Sequence, residues 1–402
     1  MKALTCRMCQ SKNLKQWLDL GLHPHSDHFH KEKEAEMFYP LGVSVCEDCG
    51  LNQLTYIVAK EELYLKDYLY ESSITKTASD HWQELADTVC QKVKLPDNSF
   101  IVDIGSNDGT LLTKFQALGH EVKGFDPTPE ATQIAIDRGV PTIQEFFTGY
   151  NARAFFKRGE VDMILGTNVF AHVHDLDDFM GGIESILSGS GVFVFESPYF
   201  GEFLKGLEYS TVYHQHLSYL SLKPLVSFLE KHGMEVFDVE QRELHGGVFR
   251  VYIARKGQRE VQTSVRVMLA SENWTEKDLE TFAEETKNQR EEMLETVLDI
   301  KSKGGTIAAV STPAKGNTFL NYTLIGPFID FATDKSKLKQ GRFLPGTGIE
   351  VFPDSELIKR QPTHAILLAW NFAQEIIKNN PDYKGTWIVP QRKIEIYAKE
   401  QI

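Results

Sequence analysis

FIVDIGSNDGTLL, residues 100–112, runs a short apolar stretch into Gly105-Ser106-Asn107-Asp108-Gly109 and then resumes with apolar residues at helical spacing. This is a strand that enters a glycine turn and leaves as a helix, and glycine there lets the backbone approach a ligand where a Cβ would clash. The GxGxxG spacing that seats a dinucleotide pyrophosphate is missing. Asp103, just before the turn, instead suits the ammonium group of an amino-acid-bearing cofactor, which points to S-adenosylmethionine held by Asp103, Gly105, Asn107, Asp108 and Gly109.

Outward from that turn, residues 99–255 alternate short apolar runs with amphipathic segments, as a doubly wound α/β sheet does. EVKGFD, VDMILGT and GVFVFE read as further strands, and EVFDVEQ followed by HGGVFRVYIAR reads as a closing pair. Seven strands ending in such a pair describe a methyltransferase sheet better than a dinucleotide dehydrogenase. Asp126 ends the strand after the turn, where an acid accepts hydrogen bonds from ribose hydroxyls. Asn168 and His172 follow the fourth strand, at the carboxyl edge where open α/β sheets hold their ligands, and Asn168 joins the cofactor-binding set.

The 402 residues suggest two or three domains, and 42% hydrophobic with 25% charged residues describes a globular chain. A formal charge of −13 with no basic block argues against nucleic acid. No apolar run approaches a membrane span and the first residues lack a signal-peptide core, so the chain reads as cytoplasmic with no membrane partner. Cys6-Arg7-Met8-Cys9 and Cys46-Glu47-Asp48-Cys49 have metal spacing, and four thiolates in two knuckles make a closed, structural zinc site with a hairpin between the pairs. Cys90 stands alone and reads as a core residue. The tract LGLHPHSDHFH, with His23, His25, His28 and His30, reads as a loop that packs or contacts substrate. The domains expected are residues 1–60, a zinc-binding module; 61–260, an S-adenosylmethionine-binding domain with a helical lead-in carrying Tyr64, Tyr68 and Tyr70; 261–303, a helical bridge; and 304–402, a smaller Rossmann-like α/β domain with strands near TIAAV, FIDFAT and HAILLAW.

CRMC with CEDCG around LGLHPHSDHF, then VDIGSNDGTLL, ESPYF, YHQHLSYLSL, HGGVFRVY, TPAKGNTFLNY, KQGRFLPGT and LLAWNF, occur in that order. Together they resemble the zinc-binding sugar C-methyltransferases that act on nucleotide-linked 4-keto-deoxysugars. The resemblance implies a small-molecule substrate held between the domains and methylation of the carbon next to the ketone, with C3 the expected position. It also implies roles: His216 as base, Tyr213 as hydrogen-bond or relay partner, His172 as donor toward the keto oxygen, and Tyr70, with Tyr68 as rival, reaching in after the zinc module. Lys315, Asn317 and Arg342 would contact the sugar nucleotide's phosphates, because Lys and Arg supply charge and Asn supplies donors, and His245 lies near the cleft.

Two positions depart from the family. Gln215 replaces the glutamate usual between the histidines and cannot act as a base, so either His216 suffices, or the substrate differs, or the activity has changed. Val310-Ser311-Thr312 stands where the family often has Tyr-Gly-Ala, which argues against a dinucleotide bound by the C-terminal domain itself. Two other readings use the same scaffold: an O-, N- or non-sugar C-methyltransferase, and a zinc-ribbon binding module fused to an inactive methyltransferase-like domain.

Overall fold

The computed structural model describes residues 1–64, 76–242 and 246–397; Tyr68, Tyr70 and His245 lie outside them. Three sheets are formed by the described residues. The first begins with β1 (Leu14–His23), β2 (Tyr39–Cys46) and β3 (Asn52–Leu54), paired antiparallel in sequence order. Leu14 pairs with Cys46, so the β1–β2 hairpin is the excursion that brings the two cysteine knuckles together.

The central sheet contains β4 (Phe100–Ile104), β5 (Glu121–Phe125), β6 (Thr142–Ile143), β7 (Val161–Thr167) and β8 (Leu187–Pro198). The next strand in the chain, β9 (Ser218–Tyr219), does not join it. β10 (Met234–Arg242) and β11 (Val248–Arg255) do, giving the order β6-β5-β4-β7-β8-β11-β10 with β11 antiparallel to both neighbours. This is the seven-stranded sheet expected from the sequence.

Its strands are apolar on both faces because helices cover both. Val102, Ile104, Ile164, Phe193 and Phe195 pack with helices Leu176–Ile186 and Leu222–Lys231. Ile101, Met163, Leu165, Val192 and Val194 point the other way, to helices Lys76–Val93 and Thr110–Ala117. The period of two along each strand sorts them.

The third sheet runs β12 (Ile307–Val310), β13 (Phe331–Thr333), β14 (Val351–Phe352), β15 (His364–Leu367), β16 (Thr386–Pro390) and β17 (Ile394–Tyr397), ordered β14-β13-β12-β15-β16-β17 and parallel except for β17. The short edge strands β14 and β17 carry too little pattern to be read from sequence, and β16, five residues inside the sheet, is a further strand that the sequence reading does not include. One core joins this sheet to the zinc module, with Leu18, Phe29 and Val43 in the same cluster as Phe203, Phe282, Phe319 and Ile366.

The helical bridge is in two pieces, Thr263–Ser271 and Glu276–Ser302, and not one long helix. The second starts at a capping box, in which the Asp278 carboxylate accepts from Thr275 N at 2.6 Å and Oγ1 at 2.7 Å. The break frees Glu272, which is buried and accepts from the first backbone N–H groups of helix Leu222–Lys231, Leu222 at 2.6 Å and Lys223 at 2.8 Å.

Candidate active site

The zinc knuckles set the frame. Tetrahedral ligands at about 2.3 Å from zinc lie about 3.8 Å apart, and the four sulfurs all fall within 4.8 Å of one another, with Cys6–Cys49 and Cys9–Cys46 at 3.5 Å. The donor set therefore fits zinc and leaves no ligand position open. Among the described residues this is the only such cluster; the histidines of the 23–30 tract face carboxylates and carbonyls instead, His25 bonding Glu62 at 3.1 Å and His30 bonding Glu34 at 2.6 Å.

Arg7, inside the first knuckle, donates to the carbonyls of Val173 and His174 and to Ser218 Oγ at 3.1 Å. Two of those acceptors directly follow His172, and Ser218 stands two positions after His216. β9 is the fourth strand of the zinc-module sheet, with Asn52 paired to Tyr219 and Gln53 to Ser218, while Leu54 N donates to Leu217 O at 3.1 Å. YHQHLSY is thus held by the zinc module, although it lies in the insertion after β8.

Within that stretch His216 is buried, its Nδ1 bonded to Thr211 O and its Nε2 to the Tyr213 hydroxyl, each at 2.8 Å. A carbonyl cannot donate, so Nδ1 carries the proton and Nε2 keeps its lone pair. Burial pushes the ring pKa down to about 4, and His216 is neutral at pH 7. The His172 ring lies 5.0 Å from it, centroid to centroid, and is kept neutral by burial and then by His216 and His174. Its buried Nε2 has no hydrogen-bond partner. Tyr64 stacks on His172 at 6.3 Å; its acidity is suppressed by burial and by Asp27 and Asp126. Of the three clustered tyrosines, Tyr64 is the one described beside the histidines, and the cluster itself was its sequence signal. A small cavity lined by Ala171, Tyr199, Phe200, Thr211 and Tyr219 opens against His216.

The glycine turn crosses the carboxyl edge of the same sheet. Gly105 has φ +68°, and a Cβ there would meet Val169 Cγ2 at 2.4 Å, so the turn passes hard against the segment that follows β7. Asp126 accepts from Asn107 N at 2.8 Å and Thr128 N at 2.9 Å, leaving further lone pairs for hydroxyl donors. Asp103 is buried, one of its oxygens has no partner, and its pKa is raised to about 8 by burial and by Asp126. A buried carboxylate of that kind lacks a cation, and an α-ammonium group supplies one, so these residues fit S-adenosylmethionine. Asp108 turns away to Thr110 Oγ1 at 2.7 Å and Arg138 at 2.9 Å. Asn168, at φ +56°, donates its N–H to Glu196 O at 2.8 Å.

In the C-terminal domain, Asn317 donates to Ser26 O at 2.6 Å and Arg342 to Phe29 O at 3.1 Å, so both hold the zinc-module loop. Lys315 lies 4.0 Å over the Trp370 ring and 3.8 Å from Glu208, donates no hydrogen bond, and is pulled to about 8 by burial against the pull of Glu208. Gln215, buried, donates to Asp27 Oδ2 at 3.3 Å. Asp27 was not singled out in the sequence, where it is one polar residue of a His-rich loop.

Residues 6–64 match a zinc binding domain family, 75–239 a methyltransferase domain family and 243–391 the C-methyltransferase C-terminal domain family. The chain is 33% identical over 411 residues to the C-methyltransferase NovU of Streptomyces niveus, covering 98% of this chain and 97% of that one. A ubiquinone biosynthesis O-methyltransferase of Rhodopseudomonas palustris (strain BisA53) is 31% identical over 97 residues, 23% of this chain and 38% of that one. A S-adenosylmethionine-dependent methyltransferase structure from Aquifex aeolicus covers 44% of this chain and 97% of its own, at 15% identity and a TM-score of 0.34. Likeness along nearly the whole chain, together with the cysteine cluster and the seven-stranded sheet, makes the protein a member of the zinc-binding, S-adenosylmethionine-dependent C-methyltransferase family.

Proposed function

We propose that this C-methyltransferase acts on a nucleotide-linked 4-keto-deoxysugar, methylating a carbon beside the ketone through an enolate. His216 carries the reading: a neutral imidazole with one nitrogen fixed by a backbone carbonyl and the other accepting from the Tyr213 hydroxyl, beside a second neutral histidine. A heteroatom nucleophile brings its own lone pair, whereas carbon must first lose a proton to a base whose neighbours stabilise the enolate oxygen.

When bound, S-adenosylmethionine supplies an electrophilic methyl group on a sulfonium. Asp103 would hold its ammonium and Asp126 its ribose. His216 Nε2 takes the proton from the carbon as the Tyr213 hydroxyl turns from Nε2 toward the substrate, and His172 donates to the forming enolate oxygen. The enolate carbon would then accept the methyl group that the bound cofactor supplies, the methyl–sulfur bond breaking to leave the neutral thioether, and His216 returns its proton to solvent. Gln215 is no base in this scheme; a neutral His216 suffices. Lys315 would meet phosphate by exchanging its weak contact with Glu208 for a stronger one.

The test is mass spectrometry after incubation with labelled-methyl S-adenosylmethionine and a panel of 4-keto-6-deoxy sugar nucleotides in deuterated water. Expected are a labelled methyl on C3 or C5 of the product and deuterium at the same carbon of recovered acceptor. His216→Ala should lower both by about 10³-fold while still binding S-adenosylmethionine. Methyl transfer to oxygen, or to no member of the panel, would defeat the reading.

A further inference from the structure

Gln215 sits between the buried His214 and His216, and its amide is half used: Nε2 donates to Asp27 Oδ2 at 3.3 Å, while Oε1 is buried without a hydrogen-bond partner. Interiors built only for stability pair such atoms. The loop that carries this carboxylate is held on either side of it. Asn317 donates to Ser26 O at 2.6 Å, Ser26 Oγ meets Thr318 Oγ1 at 3.2 Å, and Arg342 donates to Phe29 O at 3.1 Å. The backbone on both sides of Asp27 is therefore anchored by the C-terminal domain, Phe29 by a residue 313 positions away. It lies close enough to raise the Tyr64 hydroxyl's pKa, and Tyr64 stacks on His172, whose ring is 5.0 Å from His216. The carboxylate and the amide oxygen are both acceptors, set beside the proposed base.

We propose that Asp27 and Gln215 together form a subsite for a hydrogen-bond-donating ring substituent of the methyl acceptor, a hydroxyl or an ammonium group, so that the zinc-binding module contributes a side chain to substrate recognition. The donor bonds to Gln215 Oε1 and to the free lone pairs of Asp27, completing both groups. The carboxylate absent from position 215 is present in the site, delivered by another segment. This assignment rests on the keto-sugar reading for its probes.

Those probes are 4-keto sugar nucleotides that differ in one ring substituent, 2-hydroxy against 2-deoxy and 3-hydroxy against 3-deoxy or 3-amino. Asp27→Asn should lower kcat/KM about 100-fold on the acceptor carrying the recognised donor, and at least tenfold less on its deoxy partner. Gln215→Glu alone sets two carboxylates against each other and should lose as much, while the Asp27→Asn/Gln215→Glu double variant regains most of the rate. Equal losses on both members of every pair, no loss on any, or no recovery in the double variant would overturn the subsite.

Melting without substrate supplies a second arm. A subsite waiting for its ligand is not cement, so Asp27→Asn and Gln215→Met should hold or raise Tm. A fall of several degrees in both marks the pair as structural and overturns the proposal, whether or not any acceptor is turned over. A wild type that methylates none of the panel defeats the keto-sugar reading alone, and the melting comparison then decides this one.

Discussion

The central and C-terminal sheets each cross from their first strand into a helix at the same topological place, and the two crossings differ in what fills them. After β4 the chain turns at Gly105, φ +68°; after β12 it turns at Ser311, φ +63°. In each, an acid ending the second strand accepts from a backbone N–H in the turn at 2.8 Å, Asp126 from Asn107 and Asp334 from Thr312. The resemblance stops there. Asp103 leaves an oxygen without a partner, whereas the C-terminal crossing is closed by Lys339, which donates to Thr312 O at 2.8 Å and lies 3.8 Å from Asp334. One crossing is open to a cation and the other contains its own, so topology alone does not confer a ligand.

Charge removal at the two acids separates the crossings most strongly. Asp103→Asn should weaken S-adenosylmethionine by about 10–100-fold, the loss of one hydrogen bond to a charged group, and should raise the melting temperature of the ligand-free protein at pH 8. Asp334→Asn should leave that affinity within about twofold and lower the melting temperature. Calorimetric titration with parallel melts reads both, and a similar loss of affinity in the two variants would erase the distinction.

Smaller is the backbone exchange. Gly105→Ala forces a Cβ into a left-handed position and against Val169, costing about 2 kcal/mol or more. Ser311→Gly relieves the same backbone conformation and should be neutral or stabilising by up to about 1 kcal/mol. Urea unfolding of the pair measures this; equal effects would mean that the two turns are not equivalent.

The pH dependence separates the two crossings as well. Asp103 is raised to about 8, so its unfolded form ionises first, near 4, and the ligand-free protein loses stability as pH rises from about 4 to 8. Burial raises Asp334, but Lys339 and the Thr312 and Ser336 bonds outweigh it and leave it lowered. Its contribution is therefore present above the unfolded value near 4 and is lost as pH falls through the folded one. Lys339→Met should flatten the acid-side loss, because Asp334 then titrates nearer its unfolded value, and Asp103→Asn should flatten the limb between pH 4 and 8. Melting curves across pH 3–9 show whether the limbs move independently.

Much of this was legible along the chain. The two CxxC pairs, the strand into a glycine turn and Asp126 are local patterns whose spacing already states a geometry. The histidines of YHQHLSY were legible as chemistry but not as a place. Nothing local announces that Ser218–Tyr219 is a strand of the zinc-module sheet, since β9 is two residues long and its partner lies more than 160 positions earlier. The break at Glu272 was hidden for the same reason: the acid caps a helix about 50 residues upstream. Ser311 could not be read either, because the missing glycine hid a turn whose conformation the neighbouring strands impose.

Sequence by itself determined the four thiolates, the doubly wound order and the open acid at the first turn, because ligand spacing, strand period and turn chemistry are properties of a few adjacent residues. Tertiary structure alone decided that the zinc knuckle holds both histidine segments through Arg7, that Asp27 meets Gln215, and that Lys339 closes the second crossing. These contacts join segments far apart in the chain, and only packing of the shared core brings them within hydrogen-bond reach.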